Sequence, residues 1–169
     1  MERDVRRYSV VGLSMKKQRI YVDTSVIGGC FDDEFSTWSN GLLRDFAQRY
    51  FTPVTSELVA AEIADSPSFV QERFAEILAL DHEMLALSDE CLSLADVYQS
   101  HGVLTAKFHN DAIHIALATV AEVDVLVSWN FRHIVNFNKI RLFNAANLEQ
   151  GYKPVQIYSP REVTTYEDE

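Results

Sequence analysis

The run Arg19-Ile20-Tyr21-Val22-Asp23-Thr24-Ser25 decides the fold. A short apolar, β-forming segment stops abruptly at three polar residues, as a buried parallel strand does when it empties into a polar loop. Val125-Leu126-Val127, followed by Ser128-Trp129-Asn130, repeats the pattern late in the chain. Between them, strand-like runs at Phe51–Val54 and Met84–Leu87 alternate with helical stretches. Trp38–Tyr50 has Leu42, Leu43, Phe46 and Tyr50 on one face, with Ser39 as its N-cap. Thr55 or Ser56 caps a helix through Ile63 that stops before Pro67. Further helices run from Ser68 to Leu80, from a cap at Ser88 or Asp89 to His101 before Gly102, and over the nearly all-apolar Asn110–Ala121. A helical stretch at Phe143–Gln150 precedes a last edge strand, Pro154–Tyr158. Strands alternating with helices predict an α/β protein, a three-layer α/β/α domain around a central, mainly parallel sheet of four to five strands.

Composition agrees with one packed domain. The chain has 169 residues, 47% of them hydrophobic, and no Gly/Ser/Pro-rich linker interrupts it. The expected layout is an N-terminal extension over 1–18, a domain over 19–163 and an acidic tail over 164–169. The start is basic (Arg3, Arg6, Arg7), but the apolar stretch at Val10–Leu13 is too short for a signal core. No apolar run is long enough to cross a membrane, so a cytoplasmic location is expected. Cys30 and Cys91 lack CxxC spacing and read as small buried hydrophobes. A net charge of −10 excludes a protein that holds nucleic acid by bulk electrostatics, but not an enzyme that clusters carboxylates around cations.

Ligands of open parallel sheets bind beyond the carboxyl ends of the strands. Asp23 and the Ser128–Asn130 triplet stand at such ends. Two helices add an acid to an otherwise apolar segment: Glu62 within Leu58–Ile63, and Asp111 opening Asp111–Leu117. Singly, each has an ordinary explanation as a turn residue, a surface acid or a dipole partner. As an ordered set they supply hard oxygen ligands for Mg²⁺ or Mn²⁺ at one end of a sheet.

Four blocks carry a resemblance. Tyr-Val-Asp-Thr-Ser-Val-Ile at 21–27, Thr-Ser-Glu-Leu-Val-Ala-Ala-Glu-Ile at 55–63, Asn-Asp-Ala-Ile-His-Ile-Ala-Leu-Ala at 110–118 and Val-Asp-Val-Leu-Val-Ser-Trp-Asn-Phe-Arg-His-Ile at 123–134 resemble, in order, the motif blocks of PIN domains. The resemblance spans about Arg19 to Val163. It implies a VapC-like toxin ribonuclease, a magnesium- or manganese-dependent hydrolase of RNA in a toxin–antitoxin system. By the same resemblance Asp23 is the central metal ligand, and Glu62 and Asp111 complete a catalytic, metal-binding pocket. Ser128 organises that pocket, with Thr24 or Ser25 beside Asp23. The chain departs from the family at the fourth acid, where Asn130 keeps a carbonyl oxygen but lacks the charge. Asp124 precedes its strand, at the opposite end from the pocket, and is no substitute. A strong site for one cation and a weaker second one are therefore expected, with Glu62 or Asp111 accepting a proton. The implied partners are an RNA substrate, a small antitoxin protein and a second copy of the chain.

Lys107, Arg132, His133, Lys139 and Arg141 are the candidate phosphate-binding residues, with Trp129 or Phe131 as a stacking face; the alternative is a solvated loop with two core aromatics. His109 and His114 flank Asp111, but their five-residue spacing does not share a helix face and no cysteine supports zinc. His114 is expected to pack or hydrogen-bond under the pocket, and Phe69, Phe74, Tyr98 and Phe108 to lie in the core or an interface. The rival reading is a catalytically inactive PIN-like module that binds RNA or protein. An aspartyl-phosphate phosphatase would need an Asp-x-Asp pair or a nearby lysine, and a nucleotide-binding enzyme a glycine loop that Gly28-Gly29 does not make.

Overall fold

The computed structural model describes residues 16–165. Among them five strands form one sheet: β1 (Arg19–Val22), β2 (Thr52–Ser56), β3 (Glu83–Leu85), β4 (Val125–Val127) and β5 (Ile157–Tyr158). Their order is β3-β2-β1-β4-β5, and every pairing is parallel, so the sheet is wholly rather than mainly parallel. Helices cover both faces: α1 (Thr24–Gly29), α2 (Ser36–Ala47), α3 (Glu57–Ala64), α4 (Ser68–Leu78), α5 (Asp89–Ser100), α6 (His109–Val120), α7 (Phe137–Glu149) and α8 (Pro160–Val163). The result is a three-layer α/β/α domain. Its central strands are apolar throughout because both faces are covered: Ile20, Tyr21, Val22, Leu126 and Val127 are all fully buried.

Arg19 locks the end of the sheet remote from the site. Its amide donates to Asp124 Oδ2 at 2.7 Å, and its guanidinium binds Glu83 at the start of β3 and the Ala121 carbonyl at 2.9 Å. Asp124 therefore stands at the amino end of the strands, as its sequence position requires. Pro53 sits inside β2 without harm, because pairing to β3 begins only at Val54 and the missing N–H faces no partner there.

Several boundaries differ from the sequence reading, each for a local reason. The loop expected after β1 is α1, capped by Asp23 itself. Helix α2 starts at Ser36 rather than at a cap on Ser39; Ser39 is fully buried and donates to the Val26 carbonyl at 2.7 Å. Ser56 and Ser88 are the caps of α3 and α5. Helix α7 begins nearly two turns before Phe143, at a cap on Asn136. Its first turns hide no apolar stripe, since Phe137 is 76% exposed. β3 and β5 are shorter than their apolar runs because their pairing registers end at Leu85 and begin at Ile157. The packed chain also continues past 163: Thr165 N donates to the buried Asp45 carboxylate at 2.7 Å, and Thr164 Oγ1 at 3.2 Å. Residues 1–15 of the extension expected over 1–18, and residues 166–169 of the tail expected over 164–169, lie outside the described residues.

Candidate active site

The strand-to-helix transition at Val22–Thr24 places Asp23 at the carboxyl end of the central strand. Its carboxylate is enclosed by donors. Ser25 Oγ donates to Oδ1 at 2.6 Å, Ser128 Oγ to Oδ2 at 2.5 Å, and the Val26 amide to Oδ1 at 3.3 Å. Those hydroxyls are themselves anchored, Ser25 by the Trp129 amide and Ser128 by the Asn130 amide, each at 2.9 Å. The two polar strand-end triplets thus form one hydrogen-bonded unit across β1 and β4. Among the described residues no Lys or Arg pairs with Asp23. Burial pushes its carboxyl above the usual range, against the pull of His114 and of the Ser128, Ser25 and Val26 bonds.

Helices α3 and α6 run back along the sheet, so α6 presents its first turn, and Asp111, at this same end. Glu62 is tied to the centre twice, accepting from Thr24 Oγ1 at 2.9 Å and from His114 Nε2 at 2.7 Å. Behind it lies a buried chain. The carboxylate can only accept, so His114 Nε2 donates to it, and Nδ1 lies 2.7 Å from the Tyr21 hydroxyl. That hydroxyl lies 2.8 Å from Ser56 Oγ, which accepts from the Val59 amide at 3.2 Å. Burial raises the Glu62 carboxyl, but the bonds from His114 and Thr24 outweigh it and hold the group below its usual value. Burial also pushes the Tyr21 hydroxyl far up, so it remains un-ionised. His114 is hydrogen-bonded beneath the site, as its sequence position suggested.

Asp111 joins from the other side, its Oδ2 lying 3.1 Å from His133 Nδ1. The His133 amide donates to Asn130 Oδ1 at 2.9 Å, so the side chain at the departing fourth position shapes the loop after β4. Hydrogen bonds therefore link Asp111, His133, Asn130, Ser128, Asp23 and Ser25, while Thr24, beside Asp23, reaches Glu62.

The expected phosphate rim is only partly present. His133 is buried, bonded to Asp111 and packed on Phe108 at a ring distance of 3.8 Å. Lys139 Nζ binds the Val103 carbonyl, and Arg141 lies 5.7 Å from the Phe137 ring. Lys107, Arg132 and Arg141 all remain exposed, Lys107 with its Nζ 5.6 Å from the Phe108 ring. Trp129 offers no free face: it is 8% exposed, stacked on Phe35 at 4.2 Å and bonded through Nε1 to Ser39. Phe74 and Tyr98 are core residues, whereas Phe69 is half-exposed against Phe31. Sequence reasoning missed Tyr21 and Ser39. A tyrosine in a buried strand needs a hydroxyl partner, and its place two residues before Asp23 puts it on the same side of the strand; that was the available signal.

The donor set of carboxylates and hydroxyls, with a buried acid lacking a cationic partner, suits a hard divalent ion. As they stand, no three His, Cys, Asp or Glu side chains among the described residues converge into a ready ligand cage. Glu62 and Asp111 are turned to their histidines.

This architecture is a PIN-type α/β/α fold. The chain is similar to the solved structure of VapBC2 from Rickettsia felis bound to a DNA fragment from their promoter, with TM-score 0.56 and 14% identity over 84% of this chain and 98% of that one. It is also similar to FitAcB from Neisseria gonorrhoeae, with TM-score 0.53 and 16% identity over 85% and 99%. At these identities the likeness concerns the fold. No family model and no curated protein matches the chain. Among the described residues no helix is long and apolar enough to cross a membrane.

Proposed function

We propose that the protein is a Mg²⁺- or Mn²⁺-dependent endoribonuclease and the toxin half of a toxin–antitoxin pair. One observation carries the reading: a buried Asp23 carboxylate, clamped by Ser25 and Ser128 and lacking a Lys or Arg partner among the described residues, at the carboxyl end of a parallel sheet where Glu62 and Asp111 also arrive. The PIN-type fold and its toxin–antitoxin neighbours support it.

Asp23, Glu62 and Asp111 would hold the ion. When bound, it supplies Lewis acidity to the phosphodiester and to the attacking water. Ser25 and Ser128 fix the two oxygens of Asp23, and His114 fixes the rotamer of Glu62. Asn130 shapes the loop that brings His133 to Asp111. Glu62 or Asp111 accepts the proton of the water, and Lys107, Arg132 and Arg141 steer the RNA backbone. The same reading assigns a small antitoxin partner and self-association of the chain.

The test is cleavage of a labelled mixed RNA with Mg²⁺ or Mn²⁺, beside Asp23→Ala and an EDTA control. Cleavage abolished by both is the expected result, with a loss of at least a hundredfold for the variant. No cleavage by folded wild type with either ion moves the assignment to the inactive binding module. Asn130→Asp is then the variant to try for rescue, since Asp keeps the bond to the His133 amide and adds the charge.

A further inference from the structure

Beside the carboxylate centre, at the same end of the sheet, the residues following β4 and β5 wall a cleft of about 580 Å³. Its lining is mainly aromatic: Phe35, Trp38, Trp129 and Phe131, with Arg161 and Glu34 at the margin. Phe35 and Trp129 stack on each other at 4.2 Å and form a fixed wall. Phe131 stands edge-on to Trp129 with its ring 6.1 Å away and half exposed. The Arg161 guanidinium lies 5.1 Å from the Trp38 ring. The wall is tied to the centre covalently and by hydrogen bonds, because Trp129 follows Ser128 and its amide holds Ser25 Oγ, which holds Asp23.

We propose that this cleft receives an unpaired nucleobase of the RNA whose phosphodiester lies at Asp23, an inference that rests on the ribonuclease reading above. Flat aromatic walls with one guanidinium suit a π-face, and bases splayed from single strands are recognised in this way. The acids at the rim decide against a phosphate. Glu162 is occupied by the Ser159 amide and hydroxyl, and Glu34 is an exposed carboxylate that repels an anion but tolerates a neutral ring. The stacking face is Phe131 rather than Trp129, whose faces are already covered. The base site lies on the β4–β5 side of Asp23, so a base adjoining the cleaved bond is the one read.

The chain contains two tryptophans, and both line this cleft, so intrinsic tryptophan emission reports it directly. The experiment titrates wild-type protein in EDTA with a single-stranded oligoribonucleotide. Parallel arms use the same oligomer with an abasic residue at each position in turn, and the Phe131→Ala and Phe131→Tyr proteins. The expected result is saturable quenching that one abasic position removes. Phe131→Ala, an exposed position, weakens binding about ten- to a hundredfold, and Phe131→Tyr restores it. Binding with unchanged emission, quenching that every abasic oligomer reproduces, or an indifferent Phe131→Ala each overturn the proposal and leave the cleft to a protein side chain. The two readings fail separately. Metal-dependent cleavage with silent tryptophans removes only the base site, whereas base-dependent quenching without cleavage removes only the nuclease.

Discussion

Asp23 ends a strand and caps a helix at once, and it is buried with hydroxyls rather than cations around it. Its carboxyl is raised by burial above the ordinary value of 3.8, so the folded protein binds that proton more tightly than the unfolded chain. Its contribution to stability is therefore greatest below that ordinary value and is lost as pH rises through the raised one. In EDTA, Asp23→Asn should unfold at a higher temperature than wild type at pH 7, with the difference vanishing near pH 3; thermal melts at the two pH values check this. Equal melts at both would mean that the carboxylate is not stressed. Much of this was legible in advance, because an acid directly after an apolar parallel strand is chemically conspicuous. The partners of Glu62 were less so, since Tyr21, Ser56 and His114 are scattered along the chain and read singly as core.

Helix α1 exists because of what lies against it. Gly28-Gly29 is poor helix material, and only the Asp23 cap and the contacts with α2, α3 and α4 make the turn worthwhile. At Gly29 a Cβ would come within 2.7 Å of both Ser39 Oγ and Trp129 Nε1, so no side chain fits between α1 and the indole. Gly29→Ala should cost about 1–3 kcal/mol in denaturant unfolding and shift the tryptophan emission, as overpacking does. A silent substitution would show that Trp129 is not held as described. The same dependence on neighbours explains α7. Its amino-terminal turns expose Phe137 and carry their polar residues without a stripe, so periodicity alone started it at Phe143.

Over the entire molecule, the net charge of −10 sits beside a site to which the proposed function assigns a polyanion. Of the five expected phosphate contacts, the fold commits His133 and Lys139 elsewhere and leaves Lys107, Arg132 and Arg141 exposed. RNA binding should therefore depend weakly on salt, with log K falling against log salt at a slope of about −2.1, the value for three phosphates on a single strand. A binding series over salt measures it, and a slope several times steeper would place the RNA on a different, more basic surface. A largely parallel sheet with Asp23 and Ser128 at strand ends follows from alternation of elements and from polar residues at those ends; both are local chemistry and readable along the chain, whereas the strand order β3-β2-β1-β4-β5 is not. Which hydroxyl clamps which oxygen, which cations remain free and where an aromatic cleft opens depend on contacts between residues far apart in the chain, such as Trp129 with Ser39 or Lys139 with Val103. Such contacts are set by how the layers close, and no local pattern encodes them.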